Sequence, residues 1–407
     1  MNGSIRARMT ASRPAHPGRR ATRRCLPAAY DSPMDPLTLA LFVVGLVALV
    51  AGAEILVRGA SRLATSLGVS PLVVGLTVVA FGTSAPELAV GVSSALAGQP
   101  DIALGNVVGS NIANILLVLG LAAMVAPVMA ARRVVRRDVP LMIAASVLLW
   151  LMALSGQIDR LEGIVLLGGI LAYTTYLVAS SRREAAAVRA EFAAEFGVGA
   201  GRGVRTVVVN LGLVAGGLVL LLVGADWIVD GAVAMATTLG IPEIVVGLTV
   251  VAVGTSLPEI ATSVMAGLRG HRDIAVGNVV GSCIFNVFMV LGATAVVAPV
   301  PLVVSPALLA VDLPLMVAAA LACLPILYSG RRVDRREAAL LLGFYGAYLA
   351  YLALVALEAP SADAFGRALV LGAVPIAGVV LVALAARERA ADRRRVAEGE
   401  PVLPLET

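Results

Sequence analysis

"AFGTSAPE" occupies residues 80–87 and "AVGTSLPE" residues 252–259. Each octapeptide lies inside a long apolar run, where a carboxylate costs about 2.5–3.5 kcal/mol to insert. A chain that sets Thr-Ser-x-Pro-Glu at bilayer depth, and does so twice, has a use for buried oxygen atoms.

The surrounding composition sets the class. Of 407 residues, 59% are hydrophobic and 14% charged, against about 25% charged in soluble proteins. Apolar stretches of transmembrane length recur along the chain, so an all-α polytopic membrane protein embedded in lipid is expected. Eleven spans are read, at 37–57, 71–97, 103–127, 137–155, 161–180, 205–230, 242–268, 274–299, 306–328, 336–357 and 366–386. The net charge of +5 resides in arginines between these runs, which argues against a nucleic-acid partner. Cys25, Cys283 and Cys323 show no metal spacing and read as packing residues. His16 and His271 lie outside the spans. A membrane enzyme with a histidine base is therefore disfavoured, and no cofactor is expected.

Arginines mark alternate loops. Arg58 and Arg62 are read as following the first helix, and "RRVVRR" (132–137), "SSRRE" (180–184), "GLRGHRD" (267–273), "GRRVDRRE" (330–337) and "RERAADRRR" (387–395) follow later ones. The loops at 97–101, 155–159, 299–306 and 358–363 carry none. The positive-inside rule puts the Arg-bearing set in the cytoplasm. Residues 1–36 form a basic extension, "RARMTASRPAHPGRRATRRC" at 6–25, which that rule leaves on the wrong side. A start at Met34 removes the conflict; a processed leader and a disordered arm are the other readings. The remaining divisions are a first repeat (37–180), a cytoplasmic loop (181–204), a second repeat (205–357), and an extra helix with an Arg-rich tail (358–407).

The repeat emerges at an offset of 172 residues. "GLTVVAFGTSAPE" (75–87) aligns with "GLTVVAVGTSLPE" (247–259), and "DIALGNVVGSNIANILLVLG" (101–120) with "DIAVGNVVGSCIFNVFMVLG" (273–292). "GAEILVRGA" (52–60) echoes "GADWIVDGA" (224–232). Five helices per half is an odd number, so the halves insert in opposite senses. Such an inverted repeat places a substrate site near the midplane.

Along a helix, Ala80, Thr83, Ser84 and Glu87 share one face. Pro86 cannot donate to the backbone and disturbs the preceding turn, and Gly82 loosens it. Carbonyls freed near Ala80 to Gly82 would then join the Thr, Ser and Glu oxygens around one negative charge. Hard cations such as Ca2+ and Na+ take such ligands. The second copy offers Ala252, Thr255, Ser256 and Glu259. The partner helices add Asn106, Ser110 and Asn114, and Asn278, Ser282 and Asn286. Gly105, Gly109, Gly277 and Gly281 read as packing devices. A lone Thr or Ser commonly bonds its own helix, and a lone Asn can simply join two helices. Two intramembrane glutamates without a nearby Arg point instead to a cation site. Asp101 and Asp273 read as helix N-caps. Asp226 and Asp230 read as solvated near a helix end, and Trp150 and Trp227 as outer belt residues.

The doubled GTSxPE and GNxxGSxxxN motifs resemble the two α-repeats of the cation/calcium exchanger superfamily, the sodium/calcium exchangers of bacterial type. That resemblance covers about 37–357. It implies a ten-helix core whose first and sixth helices slide to switch access. It also implies central ligands at Glu87 and Glu259, hydroxyl ligands at Thr83, Ser84, Ser110, Thr255, Ser256 and Ser282, and carbonyl ligands at Ala80 and Ala252. Two features depart from the pattern: Asn286 stands where many members have Asp, and an eleventh helix follows the core. The expected function is Ca2+/Na+ antiport in a prokaryotic inner membrane. Proton coupling through the same glutamates is the alternative, disfavoured because GNVVGSN and GNVVGSC lack the acidic residue of a GNxxE motif.

Overall fold

The structure, a computed structural model, describes residues 36–67, 69–196, 204–238, 252–329 and 332–375, with scattered residues to 386. Helix α1 is Pro36–Leu67. Helix α2 has two limbs, Pro71–Thr83 and Ala85–Leu96, bent by 43°. Helix α3 is Pro100–Val125, and α4 is Val139–Ala153, entered through a π-helical turn at Val134–Asp138. Helices α5 (Arg160–Phe196) and α6 (Val204–Thr238) follow. Helix α7 is described as Ala252–Thr255 and Leu257–Leu268, and α8 is Arg272–Val297. Helices α9 (Leu308–Leu327), α10 (Arg335–Ala356) and α11 (Ala362–Ala368, continued by a π-helical turn at Leu369–Ala373) complete the series. Among the described residues seven helices are long and apolar enough to cross a membrane, and bent α2 makes an eighth. The first part of the expected span 242–268, the later part of 366–386, Cys25 and the Met34 start lie outside the described residues.

Several boundaries differ from expectation. Helix α1 continues to Leu67, so Arg58 and Arg62 are in the helix rather than after it. Arg58 is accommodated there by an ion pair with Glu54 one turn earlier. Helix α5 likewise runs on to Phe196, through most of the segment 181–204 read as a loop. Asp101 and Asp273 are not N-caps: Gln99 and His271 hold those positions. The aspartates sit in the first turn, where the helix dipole favours an anion. Because α6 extends to Thr238, Asp226, Trp227 and Asp230 lie two to three turns before its end. Both aspartates are exposed.

The two halves are tied by a pair of two-stranded ladders. Strand β1 (Val128–Met129) pairs antiparallel with β4 (Arg332–Val333), and β2 (Gln157–Ile158) with β3 (Leu302–Val303). In the repeat β1 corresponds to β3 and β2 to β4, so each half lends one strand to each ladder. Hydrogen-bonded loops share a side of the bilayer. The pairings join the Arg-bearing α3–α4 and α9–α10 loops, and separately the α4–α5 and α8–α9 loops, as the charge alternation requires.

Packing divides the helices into two bodies. Helices α3 and α8 are buried nearly throughout, while α5, α6 and α10 bury only a minority of their residues and leave the rest partly or fully uncovered, as helices with a lipid-facing side do. The main apolar cluster draws on α2 to α5 and α7 to α10. A second cluster joins α1 and α6, with Val74, Val79, Ala266 and Ile274 at its margin. Glycines spaced by seven make the α1–α6 seam: Gly45, Gly52 and Gly59 on α1, and Gly217, Gly224 and Gly231 on α6. A Cβ at Gly52 would stand 2.6 Å from the Leu221 nitrogen, and one at Gly224 2.6 Å from the Leu49 nitrogen. Only glycine permits such backbone contact, the usual device for helix association where lipid supplies no hydrophobic drive.

A further repeated device was not anticipated from the sequence. Asp138 accepts a hydrogen bond from Tyr173 at 3.1 Å, and Asp312 one from Tyr348 at 3.0 Å. Both aspartates end a π-helical turn and precede a Pro-Leu-Met triplet. These pairs rivet α4 to α5 and α9 to α10, away from the glutamates.

Candidate cation-binding site

The break in α2 falls at Ser84, with φ −83° and ψ 9°, and its counterpart Ser256 has φ −91° and ψ 2°. This sparsely populated bridge conformation recurs at functional sites. Pro86 and Pro258 lie at the start of the second limbs, where a missing N–H costs least. The break therefore follows from the motif. Gly82 has a packing role as well: a Cβ there would lie 2.4 Å from a Leu218 methyl on α6. Gly254 faces Val229 of α6 in the same way, at 2.2 Å.

The carbonyl expectation needs correction in the first half. Ala80 O is not freed; it accepts the Ser84 N–H at 3.0 Å. The carbonyl deprived of a donor by Pro86 is that of Gly82, four residues earlier. Ala80 O keeps a second lone pair. In the second half the pairing shifts, with Ser256 N–H donating to Val253 O at 3.1 Å. Nothing beyond its backbone is described for Ala252.

Glu87 and Glu259 are buried, at 1% and 0% exposure. They are close enough to interact electrostatically. Arg58 and Arg269 both pair with Glu54, and among the described residues neither Glu87 nor Glu259 forms a salt bridge with an arginine. Ser110 Oγ lies 3.5 Å from Glu87 Oε1, while Glu87 Oε2 and both Glu259 oxygens have no hydrogen-bond partner. The side chains of Asn114 and Asn286 and the hydroxyls of Ser84 and Ser256 are also buried without a partner. Asn114 and Asn286 each open a π-helical turn, at Asn114–Val118 and Asn286–Leu291. A π turn re-aims side chains and is common at functional sites; nothing in the sequence marked it.

Other site residues interlock across the halves. Thr83 of α2 donates to Asn278 Oδ1 of α8 at 3.2 Å and lies 3.4 Å from Ser282 Oγ. Asn106 Nδ2 donates to Glu87 O at 2.9 Å, and Asn278 Nδ2 to Glu259 O at 3.4 Å. Asn111 donates to Cys283 O at 3.3 Å, joining residues that are equivalent in the repeat. Thr255 is only half-buried. Gly277 and Gly281 pack closely on α2, as expected of packing devices. The residues that the repeat sets opposite Gly105 and Gly109 fall mostly outside the described set.

Among the described residues no three His, Cys, Asp or Glu side chains come together. A cation here would meet two carboxylates and otherwise neutral oxygens, a donor set for hard ions. Buried polar atoms are ordinarily paired. Here the unpaired ones concentrate on the two motifs and their partner asparagines.

The sequence pattern of the family described as "Sodium/calcium exchanger protein" matches residues 37–180 and again 209–354. The chain belongs to the sodium/calcium exchanger family. This member is 33% identical over 351 residues to the sodium/calcium exchanger MaX1 of Methanosarcina acetivorans, covering 77% of this chain and 98% of that one. It is 35% identical over 267 residues to the inner membrane protein YrbG of Escherichia coli, covering 65% and 81%. The solved sodium-calcium exchanger NCX_Mj superposes with a TM-score of 0.65 at 28% identity, over 80% of this chain and 99% of that structure. The exchanger is thus an integral membrane antiporter of cations, all-α and built from two repeated halves, and not an enzyme.

Proposed function

We propose that this exchanger moves Ca2+ against Na+ by alternating access, with both ions held between Glu87 and Glu259. The observation that carries the reading is the set of buried, unpartnered oxygens on Glu87, Glu259, Ser84, Ser256, Asn114 and Asn286. Two carboxylates in a low-dielectric site carry about −2 charge, which one Ca2+ or two Na+ neutralise. Thr83, Ser110, Ser282, Thr255 and the carbonyls of Ala80 and Ala252 complete the ligand set. Exchange then requires that the site switch sides only when neutralised. The α1–α6 pair, packed as a body of its own and bearing on both motif glycines, is the element that moves over the site.

Sodium is preferred over protons as coupling ion because a proton needs one carboxylate oxygen, whereas this site presents many neutral ligands. MaX1 and NCX_Mj, both named as sodium/calcium exchangers, support that choice. Residence in a prokaryotic inner membrane is proposed from the short loops and from the likeness to YrbG. The test is uptake of radiolabelled Ca2+ into proteoliposomes under an imposed Na+ or H+ gradient. Uptake that follows the Na+ gradient and survives a protonophore is expected. Uptake that follows the pH gradient in Na+-free buffer would replace sodium by protons.

A further inference from the structure

The repeat is broken beside the second glutamate. Ser263 lies one turn beyond Glu259 on α7; the equivalent residue one turn beyond Glu87 is Gly91, which has no hydroxyl. Ser263 is fully buried, and its Oγ accepts a hydrogen bond from Asn278 Nδ2 at 3.0 Å. The same amide nitrogen donates to Glu259 O at 3.4 Å, and Asn278 Oδ1 accepts from Thr83 at 3.2 Å. In the first half, the corresponding Asn106–Glu87 O bond is shorter, at 2.9 Å. The amide of Asn278 is thus drawn toward Ser263, with both its donors and its acceptor engaged.

The chemistry downstream concerns Thr83. A threonine hydroxyl has one proton and two lone pairs. Here the proton points to Asn278 Oδ1 at 3.2 Å, with Ala80 O a longer alternative at 3.5 Å. Its oxygen is then left as an acceptor toward a cation. Because Asn278 bonds both the Thr83 hydroxyl and Glu259 O, Thr83 lies beside Glu259, whose carboxylate oxygens have no hydrogen-bond partner. Were the proton turned to that carboxylate, it would occupy a ligand oxygen and stabilise the ion-free site.

We infer that Ser263 is a positioning residue for cation binding: through Asn278 it holds the Thr83 proton away from Glu259, so that Thr83 and Glu259 both present bare oxygen to the ion. This rests on the two glutamates being the ion site, as proposed above. The first half has no such hydroxyl, since Gly91 stands where Ser263 does.

The test uses the full-length exchanger in proteoliposomes and reads Ca2+ uptake. Wild-type flux first tests the proposed function by itself. Ser263→Ala should then raise the apparent Ca2+ KM about fivefold, the worth of one modest hydrogen bond, with the loss falling on KM rather than on Vmax. Ser263→Thr, which keeps the hydroxyl, should restore KM. In a Thr83→Val background, Ser263→Ala should have no further effect on KM, because the proton it controls is gone. Should Ser263→Ala fold poorly, Ser263→Cys preserves volume with a weak acceptor and reports the same rise. An active wild type whose KM is unmoved by Ser263→Ala or Ser263→Cys overturns the inference and leaves the proposed function standing. Additive effects of the Ser263 and Thr83 changes, or a fall in Vmax and stability alone, also overturn it by reducing Ser263 to a packing role.

Discussion

Replacing Gly217 by alanine tests whether α1 and α6 are held backbone to backbone. The added Cβ would stand 2.6 Å from Leu56 N, 2.9 Å from Leu56 Cα and 3.0 Å from Gly52 O. All three are main-chain atoms of α1, so no side-chain rotation relieves the overlap. Restoring ordinary contact moves the helices apart by roughly 0.8 Å, enough to forfeit a quarter to a half of the dispersion well along the seam. Overpacking of this kind costs about 1–3 kcal/mol. Gly216, the next residue, is exposed and has nothing within 4 Å of its Cβ position. Gly216→Ala therefore adds only helix propensity, up to about 1 kcal/mol in favour of the fold. The same chemical change at adjacent positions should thus move stability in opposite directions. Unfolding of the detergent-solubilised protein in parallel with Ca2+ flux in proteoliposomes measures both consequences, with flux falling for Gly217→Ala alone. If the two variants are equal in stability and flux, α1 and α6 are not in backbone contact and do not move as a pair.

Glu87→Gln and Glu259→Gln should each abolish exchange without unfolding the protein, since either halves the site charge; near-normal flux in one of them would remove that residue from the site. Asn286→Asp adds a third carboxylate to the cluster and should tighten Ca2+ binding or change the Na+ dependence; unchanged Ca2+ titrations would assign Asn286 to helix packing. In a cysteine-free background, Gln99→Cys and Gln157→Cys should be labelled from outside and Glu184→Cys and Arg269→Cys from inside, and labelling of positions 99 and 269 from the same side would refute the inverted repeat. Arg269 Nε lies 2.8 Å from Glu54 Oε2, tying the α7–α8 turn to α1. Arg269→Gln should shift the distribution of α1 positions by up to about fivefold, the range of a part-exposed pair, as read by spin-label distances between α1 and α8. A distribution insensitive to both the mutation and added salt would leave that pair without a role in switching.

The motif residues announced the site because their chemistry contradicts their surroundings. A glutamate, a proline and paired hydroxyls in an apolar run point to a broken helix that offers oxygens to a cation, and the offset of 172 residues doubled the signal. Helix positions, and which loops belong together on one side, were legible for the same reason: lipid imposes length and charge rules on each span separately. Helix ends were less legible. Arg58 remains in α1 because Glu54 lies one turn away, a pairing that hydropathy alone does not weigh.

Contacts between distant segments belonged to the tertiary structure alone. The sequence paired Thr83 with Glu87 along one helix; the fold hands the Thr83 hydroxyl to Asn278 of the other half. The π-helical turns at Asn114 and Asn286, the exchanged β ladders and the Asp–Tyr rivets each depend on how two elements meet. So does the departure from symmetry at Ser263, where one hydroxyl in place of Gly91 leaves the two glutamates with unequal surroundings. Residue type and spacing determine what a segment can offer an ion, because those are local properties of one helix in lipid. Which offered atoms remain unpaired is settled only when the halves pack together and claim their partners.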